Sequence, residues 1–270
     1  MVQHGVPRAS AKEERTAQAR EKELKDIKIY QELVDLVNAK VRLKSPNLVR
    51  WVMLMVLWVA EREFTPELLQ KTTELLKRNP EYYTVWNHRR RIYANEFASL
   101  KMSVEAGDLT EEHRCSQVLD IIQLDLQFLF PLLIKFPKCY WIWNHRLWLL
   151  EQATIRLPVT TARQLWEEEL GLVGKMLNRD SRNFHGWGYR RTVISSLESS
   201  SLKGKSMARS EFDYTTKMIG ANLSNFSAWH NRAKLISRIL DEESATKEER
   251  RKMLDDGQHN PSPRQHHHTD

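Results

Sequence analysis

Basic side chains stand at one fixed place in a short motif that recurs along the chain. Each copy has a tryptophan with an arginine three residues later. Five residues before the tryptophan, the second and third copies have Lys138 and Arg182, whereas the first and fourth have Glu81 and Ser224. The third copy also has His185, two residues before its tryptophan. Basic groups near helix N-termini, where backbone amides are exposed and the helix dipole is positive, predict a phosphate site.

The same residues also have a purely structural interpretation. Lys138 has the character of an ordinary solvated surface lysine, since lysines are mostly exposed. The net charge of +7 and the isoelectric point near 9.3 suit a polyanionic or phosphate-bearing partner. Mixed-sign charge on solvated helix faces would produce the same sum, so both interpretations stay open.

The motif occurs four times and marks a repeat protein. The copies are YYTVWNHRRRIY, CYWIWNHRLWLL, NFHGWGYRRTVI and NFSAWHNRAKLI, with Trp86, Trp143, Trp187 and Trp229 separated by 57, 44 and 42 residues. Recurrence at about 20 to 50 residues is typical of stacked repeats. With 41% hydrophobic residues, nine tryptophans, and only nine glycines and nine prolines, the chain is predicted to be all-α with a large core.

On a helix, the motif residues fall on one stripe. The aromatic residue three before the tryptophan, the arginine three after it and the apolar residue seven after it share a face. We expect the aromatics to lie in the core. We expect the arginines to stack on the tryptophan ring and to bond backbone carbonyls. The stripe would join successive hairpins, because each hairpin needs the same contact.

Each motif helix follows a leading helix. Thr65 before Pro66 and Glu67 predicts an N-cap, and Asn79 with Pro80 predicts the end of that helix near Arg78. The later leading helices are predicted at 111–136, 161–178 and 207–222, with the first motif helix ending near Leu100. Polar links are predicted at 101–110, 154–160 and 199–206.

Four regions are predicted. They are a leader with a charged helix over 1–43, an atypical apolar insertion over 44–64, repeats over 65–255 and a disordered tail over 256–270. The stretch 47–60, NLVRWVMLMVLWVA, is shorter than the roughly 20 residues that span a bilayer, so no transmembrane segment is expected. The three consecutive histidines of the tail are interpreted as compositional.

Cysteine content bears on compartment and metal binding. The chain has two cysteines, Cys115 and Cys139, with no CxxC pair and no recognisable secretory leader. A reducing, cytoplasmic location is therefore expected. Zinc requires about four Cys, His or carboxylate ligands, and neither cysteine has such residues at a suitable spacing. No metal site is therefore expected in this chain.

The four phased copies over about 65–255 resemble the repeats of protein prenyltransferase alpha subunits, most closely those of Rab geranylgeranyltransferase in a fungal form. The resemblance implies a crescent-shaped α-α superhelix of helical hairpins that pairs with a catalytic beta subunit, and zinc is expected in that subunit. The heterodimer would transfer geranylgeranyl from its diphosphate to C-terminal cysteines of Rab GTPases presented by an escort protein. The chain would not be active alone.

The resemblance also implies site residues. Lys138 matches the lysine that contacts the departing diphosphate, and Tyr140 matches the aromatic beside it. Asn183, Phe184 and His185 match an Asn-aromatic-His segment near the subunit interface, and Arg182 stands beside them. With Lys138 and Tyr140, His185 is a catalytic candidate, whereas Asn183 and Arg182 are substrate-binding candidates. His4 is weakly similar to a histidine that approaches the beta-subunit zinc in some relatives.

Some features of the sequence depart from the family pattern, and other functions stay open. Trp141 stands where alpha subunits that serve CaaX substrates have a glutamine, which favours the Rab type over the subunit shared by farnesyltransferase and CaaX geranylgeranyltransferase. The apolar stretch 47–60 and the end after KEERRKMLDD depart from the family pattern. A non-catalytic repeat scaffold stays open, because repeat arrays commonly bind partners. Nucleic-acid binding is weaker, since no basic stripe with exposed aromatics emerges.

Overall fold

The computed structural model describes residues 24–35, 64–244, 246–248 and 250–251. The apolar stretch 47–60, His4, and the tail from 252 onward lie outside the described residues. The chain divides into two compact units between Glu96 and Phe97. All regular structure within the described residues is helical, which confirms the all-α prediction.

The first unit contains helix α1 (Pro66–Arg78), the first part of helix α2 (Tyr83–Glu105) and a helical segment at 24–35. The hydroxyl of Thr65 accepts a hydrogen bond from the backbone N–H of Leu68 at 3.3 Å, which confirms the predicted N-cap. The amide of Asn79 donates to the hydroxyl of Tyr30 at 2.9 Å. This bond joins the turn after α1 to the segment at 24–35.

The second unit contains the end of α2 and six further α-helices among the described residues. They are α3 (Glu111–Lys135), α4 (Tyr140–Arg156), α5 (Val159–Arg179), α6 (Phe184–Glu198), α7 (Ala208–Ala221) and α8 (Phe226–Glu242). Consecutive helices pack as hairpins, α3 with α4, α5 with α6 and α7 with α8. Helix α5 also packs against α4, so neighbouring hairpins stack.

Helix α3 is, among the described residues, the one helix long and apolar enough to cross a membrane by length and composition alone. It nevertheless packs as part of a hairpin, because Ile122, Leu129 and Leu133 are fully buried. Its buried Asp125 accepts a hydrogen bond from the ring of His145 in α4 at 2.8 Å. This hydrogen bond satisfies a carboxyl that would otherwise be costly to bury.

Two predicted links are shorter than expected, because the helices extend into them. Helix α2 continues to Glu105 instead of ending near Leu100, and α5 begins at Val159 instead of Thr161. The link over 199–206 contains a short 3-10 turn, Ser200–Leu202. It also needs its glycine, since a Cβ on Gly204 would lie 2.1 Å from the carbonyl oxygen of Leu197.

The predicted stripe is correct in its centre and wrong at its N-terminal end. Trp86, Trp143 and Trp187 are buried, whereas Trp229 is half-buried. The residues seven positions after the four tryptophans are all buried; they are Tyr93, Leu150, Ile194 and Ile236. The aromatics three positions before the tryptophans are exposed instead of buried, with Tyr83 and Tyr140 about half exposed, Phe184 at 78% and Phe226 at 77%. Each is the first residue of its helix. Because helical side chains lean toward the N-terminus, these rings extend past the helix end, where no preceding turn covers them.

The motif arginines are buried, and the predicted bonds to backbone carbonyls are confirmed for Arg89, which donates to Leu69 at 3.2 Å, and Arg146, which donates to Leu126 at 2.9 Å. Two of them also form ion pairs that were not predicted. Arg146 in α4 donates from Nε and a terminal nitrogen to both carboxylate oxygens of Glu169 in α5, at 2.7 and 2.6 Å. Arg190 in α6 pairs in the same way with Glu211 in α7. Each of these arginines therefore contacts the leading helix of the following hairpin. The rings they approach are also different, since Arg190 lies over Tyr214, 3.5 Å from its centroid.

Burial and pairing act against each other on Arg146. Burial alone would lower the pKa of its guanidinium, but the Glu169 carboxylate holds that pKa above its usual value. The hydroxyl of Tyr189 donates to the same carboxylate at 2.8 Å, and burial raises the pKa of Tyr189. These groups form a closed polar network inside the second unit.

Candidate functional site

The predicted site residues lie at two neighbouring helix N-termini in the second unit. Lys138 and Tyr140 are at the start of α4, and Asn183 and His185 are at the start of α6. The side-chain amide of Asn183 donates to the carbonyl oxygen of Pro137 at 3.0 Å. This bond joins the turn before α4 to the turn before α6, although the two residues are 46 positions apart.

The motif tryptophan holds the turn that carries Lys138. The indole N–H of Trp143 donates to the carbonyl oxygen of Pro137, six residues earlier, at 2.9 Å. The same bond occurs in every copy, from Trp86 to Pro80, Trp187 to Ser181 and Trp229 to Leu223, at 2.7 to 2.9 Å. The residue after that carbonyl, at the position of Lys138, is thereby kept outside the core. The tryptophan contributes apolar burial and fixes the turn at the same time.

Lys138 projects from this turn into solvent, with 75% of its side chain exposed. Its ammonium nitrogen lies 3.9 Å from one carboxylate oxygen of Asp180, the C-cap of α5. The other oxygen of Asp180 accepts a hydrogen bond from the backbone N–H of Arg182 at 3.3 Å. Asp180 therefore shapes the turn before α6 and faces the lysine of the turn before α4.

Sequence reasoning missed Asp180, although a signal was present. The first and fourth copies have asparagines at this position, and both accept a hydrogen bond from the backbone N–H two residues later. They are Asn79 and Asn222, so the position is that of an Asx turn. In the third copy the same turn is formed by an aspartate, and its charge distinguishes Asp180 from the asparagines of the first and fourth copies.

Tyr140 and His185 lie on the same edge of the second unit as Lys138, namely the edge formed by the N-terminal ends of α4 and α6. The ring of Tyr140 is half exposed and lies 6.4 Å from the ring of half-buried His185, centroid to centroid. The hydroxyl of Tyr140 accepts a hydrogen bond from Asn144, one turn later in α4, at 3.3 Å. His185 also contacts the exposed ring of Phe184, at 5.9 Å between centroids. An ammonium group, a phenol and an imidazole are thus presented together.

Asn183 and Arg182 make contacts of a different kind. Asn183 is buried, and its side-chain oxygen accepts from the backbone N–H of Gly186 at 3.1 Å to cap α6. Because its nitrogen donates to Pro137, both polar atoms of the side chain are engaged in positioning the two turns. Arg182 donates to the carbonyl oxygen of Ser224 at 3.1 Å, toward the turn before α8. The substrate-binding role inferred for these two residues stays a prediction.

In the part of the chain that the structure describes, no group of three or more His, Cys, Asp or Glu side chains is arranged to hold a metal ion. What the edge offers is hydrogen-bond donors and positive charge. The ammonium of Lys138, the hydroxyl of Tyr140 and the ring of His185 can donate to an anionic oxygen, close to two helix N-termini. This combination suits stabilisation of a phosphate or diphosphate group.

Comparison with known proteins identifies the repeats. The model of the protein prenyltransferase alpha subunit repeat matches residues 66–96, 122–153, 166–197 and 208–239. The chain belongs to this family of repeats. The second match contains Lys138 and Tyr140, and the third contains Asp180, Asn183 and His185. Both halves of the candidate site therefore lie inside prenyltransferase alpha subunit repeats.

Curated relatives carry the name geranylgeranyl transferase type-2 subunit alpha. The Candida albicans protein is 39% identical over 244 residues, which are 89% of this chain and 57% of the relative. The Saccharomyces cerevisiae protein is 42% identical over 180 residues, 67% of this chain and 48% of the relative. The Schizosaccharomyces pombe protein is 35% identical over 241 residues, 89% and 58% of the two chains. This prenyltransferase repeat chain spans about half the length of these relatives.

A solved structure of Candida albicans protein geranylgeranyltransferase-I complexed with GGPP aligns with a TM-score of 0.46 at 21% identity. The alignment covers 75% of this chain and 56% of the solved chain.

Proposed function

We propose that this chain is the alpha subunit of a type-2 protein geranylgeranyltransferase and works with a catalytic beta subunit, without which it is inactive. The names of its relatives, at 35% to 42% identity, support the proposal. The substrates would be geranylgeranyl diphosphate and the C-terminal cysteines of Rab GTPases presented by an escort protein. The complex would act in the cytoplasm.

The reaction assigns the alpha subunit an electrostatic task. A cysteine thiolate forms a carbon–sulfur bond to C1 of the geranylgeranyl chain, the C1–oxygen bond breaks, and diphosphate leaves with the bonding electrons. Zinc in the beta subunit would hold the thiolate. The ammonium of Lys138 would neutralise charge that develops on the departing diphosphate, and the hydroxyl of Tyr140 would donate to one of its oxygens. His185 would add a further donor at the same edge.

The observation that carries this proposal is the position of Lys138. The bond from Trp143 to the Pro137 carbonyl holds its turn, and the lysine extends into solvent at an edge shared with Tyr140 and His185. The fixed turn limits where the lysine can reach, although a diphosphate would have to displace Asp180 from the ammonium. On this proposal, the lysine would meet a substrate that another subunit holds.

A second candidate is a repeat scaffold without a part in catalysis. It is favoured by the exposed aromatics Tyr140, Phe184 and Phe226, which recur at the same position of successive motif helices. A row of exposed rings is a surface for partner binding whether or not chemistry follows. On this alternative, Lys138 would matter no more to the partner's activity than Ser224.

The test is coexpression of the full chain with a type-2 beta subunit, followed by purification and an assay of lipid transfer to a Rab bound to its escort protein. We expect a one-to-one complex, and we expect Lys138→Ala to lower turnover by about 100-fold without loss of pairing. Lys175→Ala, which removes an exposed lysine of α5, is the matched control. Near-normal turnover of the Lys138 variant would exclude the diphosphate role. Modification of a CaaX peptide in place of the Rab would indicate the other prenyltransferase class.

A further inference from the structure

A groove unrelated to the Lys138 edge runs between α6 and α8. It has a volume of about 280 Å³ and is open to solvent. Its apolar lining consists of the buried side chains of Trp187 and Ile194 from α6 and the half-buried side chain of Leu235 from α8. Glu211 of α7 also lines it. All of these residues belong to the second unit.

Both acidic residues that line the groove are already neutralised. Glu211 receives a two-pronged hydrogen bond from Arg190, and the pair is buried. Glu198 receives two hydrogen bonds from Arg238, at 3.0 and 2.8 Å. Paired carboxylates of this kind present little negative charge to a ligand. The Glu198–Arg238 pair also closes one end of the groove.

Two cations at the opposite end have no acidic partner among the described residues. Arg191 of α6 donates to the side-chain oxygen of Asn231 in α8 at 3.2 Å, across the groove. Lys234 lies one turn after Asn231 on the same helix face, and both cations are exposed. The contact between Arg191 and Asn231 therefore brings the two positive charges to the same end. The positive charge at that end is not neutralised by the acidic residues lining the groove, because both of them are paired with other arginines.

We infer that this groove binds an acidic segment of a protein partner, with a large apolar side chain in the middle and carboxylates at the Arg191–Lys234 end. Charge complementarity determines the occupant, because the arginine fork and the ammonium both match carboxylates. Leu235 is half-buried, so part of its apolar side chain is left for a ligand to cover, which favours a peptide with an apolar side chain over a purely ionic ligand. The inference is independent of the proposed catalytic role.

Binding is measured by fluorescence anisotropy with the full chain and three short labelled peptides, built of Glu-Glu-Leu, Glu-Glu-Ser and Lys-Lys-Leu repeats. The Glu-Glu-Leu peptide is expected to bind most tightly. Arg191→Glu combined with Lys234→Glu is expected to weaken it by about ten-fold or more. Leu235→Asn is expected to weaken the Glu-Glu-Leu peptide but not the Glu-Glu-Ser peptide.

The control is Lys175→Glu combined with Lys217→Glu, which changes the net charge equally at exposed positions of α5 and α7. Arg191→Gln, which retains a donor for Asn231, separates lost charge from lost helix packing. Unchanged melting temperatures confirm that the variants fold. Equal weakening by the two double variants, or equal binding of the leucine and serine peptides, would overturn the inference. Tighter binding of a single-stranded oligonucleotide, lost in the same groove variants, would also overturn it.

Discussion

The ammonium nitrogen of Lys138 lies 3.9 Å from a carboxylate oxygen of Asp180, the residue that follows the last turn of α5. Both side chains are at least one-third exposed, so this ion pair contributes little to stability. Its consequence is local, because Asp180 competes with any phosphate oxygen for the lysine. The carboxylate also places a negative charge beside the proposed diphosphate position.

Asp180→Asn is expected to strengthen diphosphate binding. Asparagine retains the acceptor for the backbone N–H of Arg182, as the asparagines of the first and fourth copies show. Removal of the charge should lower the inhibition constant of inorganic diphosphate in the complex with a beta subunit by about three-fold. Asp213→Asn, on α7, is the control. An unchanged or higher inhibition constant would contradict an anion site at Lys138.

Exposed rings at the starts of α6 and α8 are expected to bind the beta subunit without supporting the fold. Phe184→Ser with Phe226→Ser should leave the melting temperature of the free chain within about two degrees, since both rings are more than three-quarters exposed. The same variant should weaken pairing with the beta subunit by about ten-fold or more in a titration. Ile155→Ser, also exposed but near the other end of α4, is the control. Equal pairing of all three proteins would place the interface elsewhere.

The buried pair of Arg146 and Glu169 should behave unlike a surface pair. Arg146→Met leaves the Glu169 carboxylate buried with only the hydroxyl of Tyr189, so a loss of about 3 to 5 kcal/mol in the free energy of unfolding is expected. Arg146→Met with Glu169→Met should recover much of that loss, because no uncompensated charge remains. Arg209→Met, which breaks the exposed pair with Glu243, should cost less than about 1 kcal/mol. Urea unfolding measures all three. A double variant that recovers none of the loss seen in Arg146→Met would argue against coupling.

His88 should make stability depend on pH. Its side chain is 2% exposed, and neither ring nitrogen has a hydrogen-bond partner in the described part of the chain. The equivalent residues His145 and Tyr189 bond to acids in their leading helices, whereas the corresponding position of α1 is Leu68. Burial lowers the pKa of His88, so the unfolded chain binds a proton more readily than the folded one.

Stability should therefore be greatest above the unfolded pKa of about 6.5 and should fall as pH decreases below it, by up to about 1.4 kcal/mol per pH unit. His88→Phe should remove this dependence and raise stability near pH 5.5. His230→Gln, at an exposed histidine, should leave the dependence unchanged. Chemical unfolding at several pH values measures the effect. A slope retained in the His88 variant would assign it to another group.

Local sequence determined the helices and most of their packing stripe. Four phased copies of the motif, the cap at Thr65, and buried positions such as Trp143 and Leu150 follow from helical periodicity and capping chemistry. These features depend on residues three, four or seven apart. They could therefore be predicted before any hairpin was placed against another.

Contacts between hairpins were decided only by the tertiary structure. Lys138 and Asp180 are 42 positions apart, and Arg146 reaches Glu169 across 23. Their approach depends on how one hairpin stacks on the next, which periodicity within a helix does not specify. The exposed rings of Phe184 and Phe226 show the same limit, because a stripe predicts a shared face but not where the covering turn ends. The sequence by itself specified which residues form the repeat, whereas the stacking decided which of them remain available to a partner.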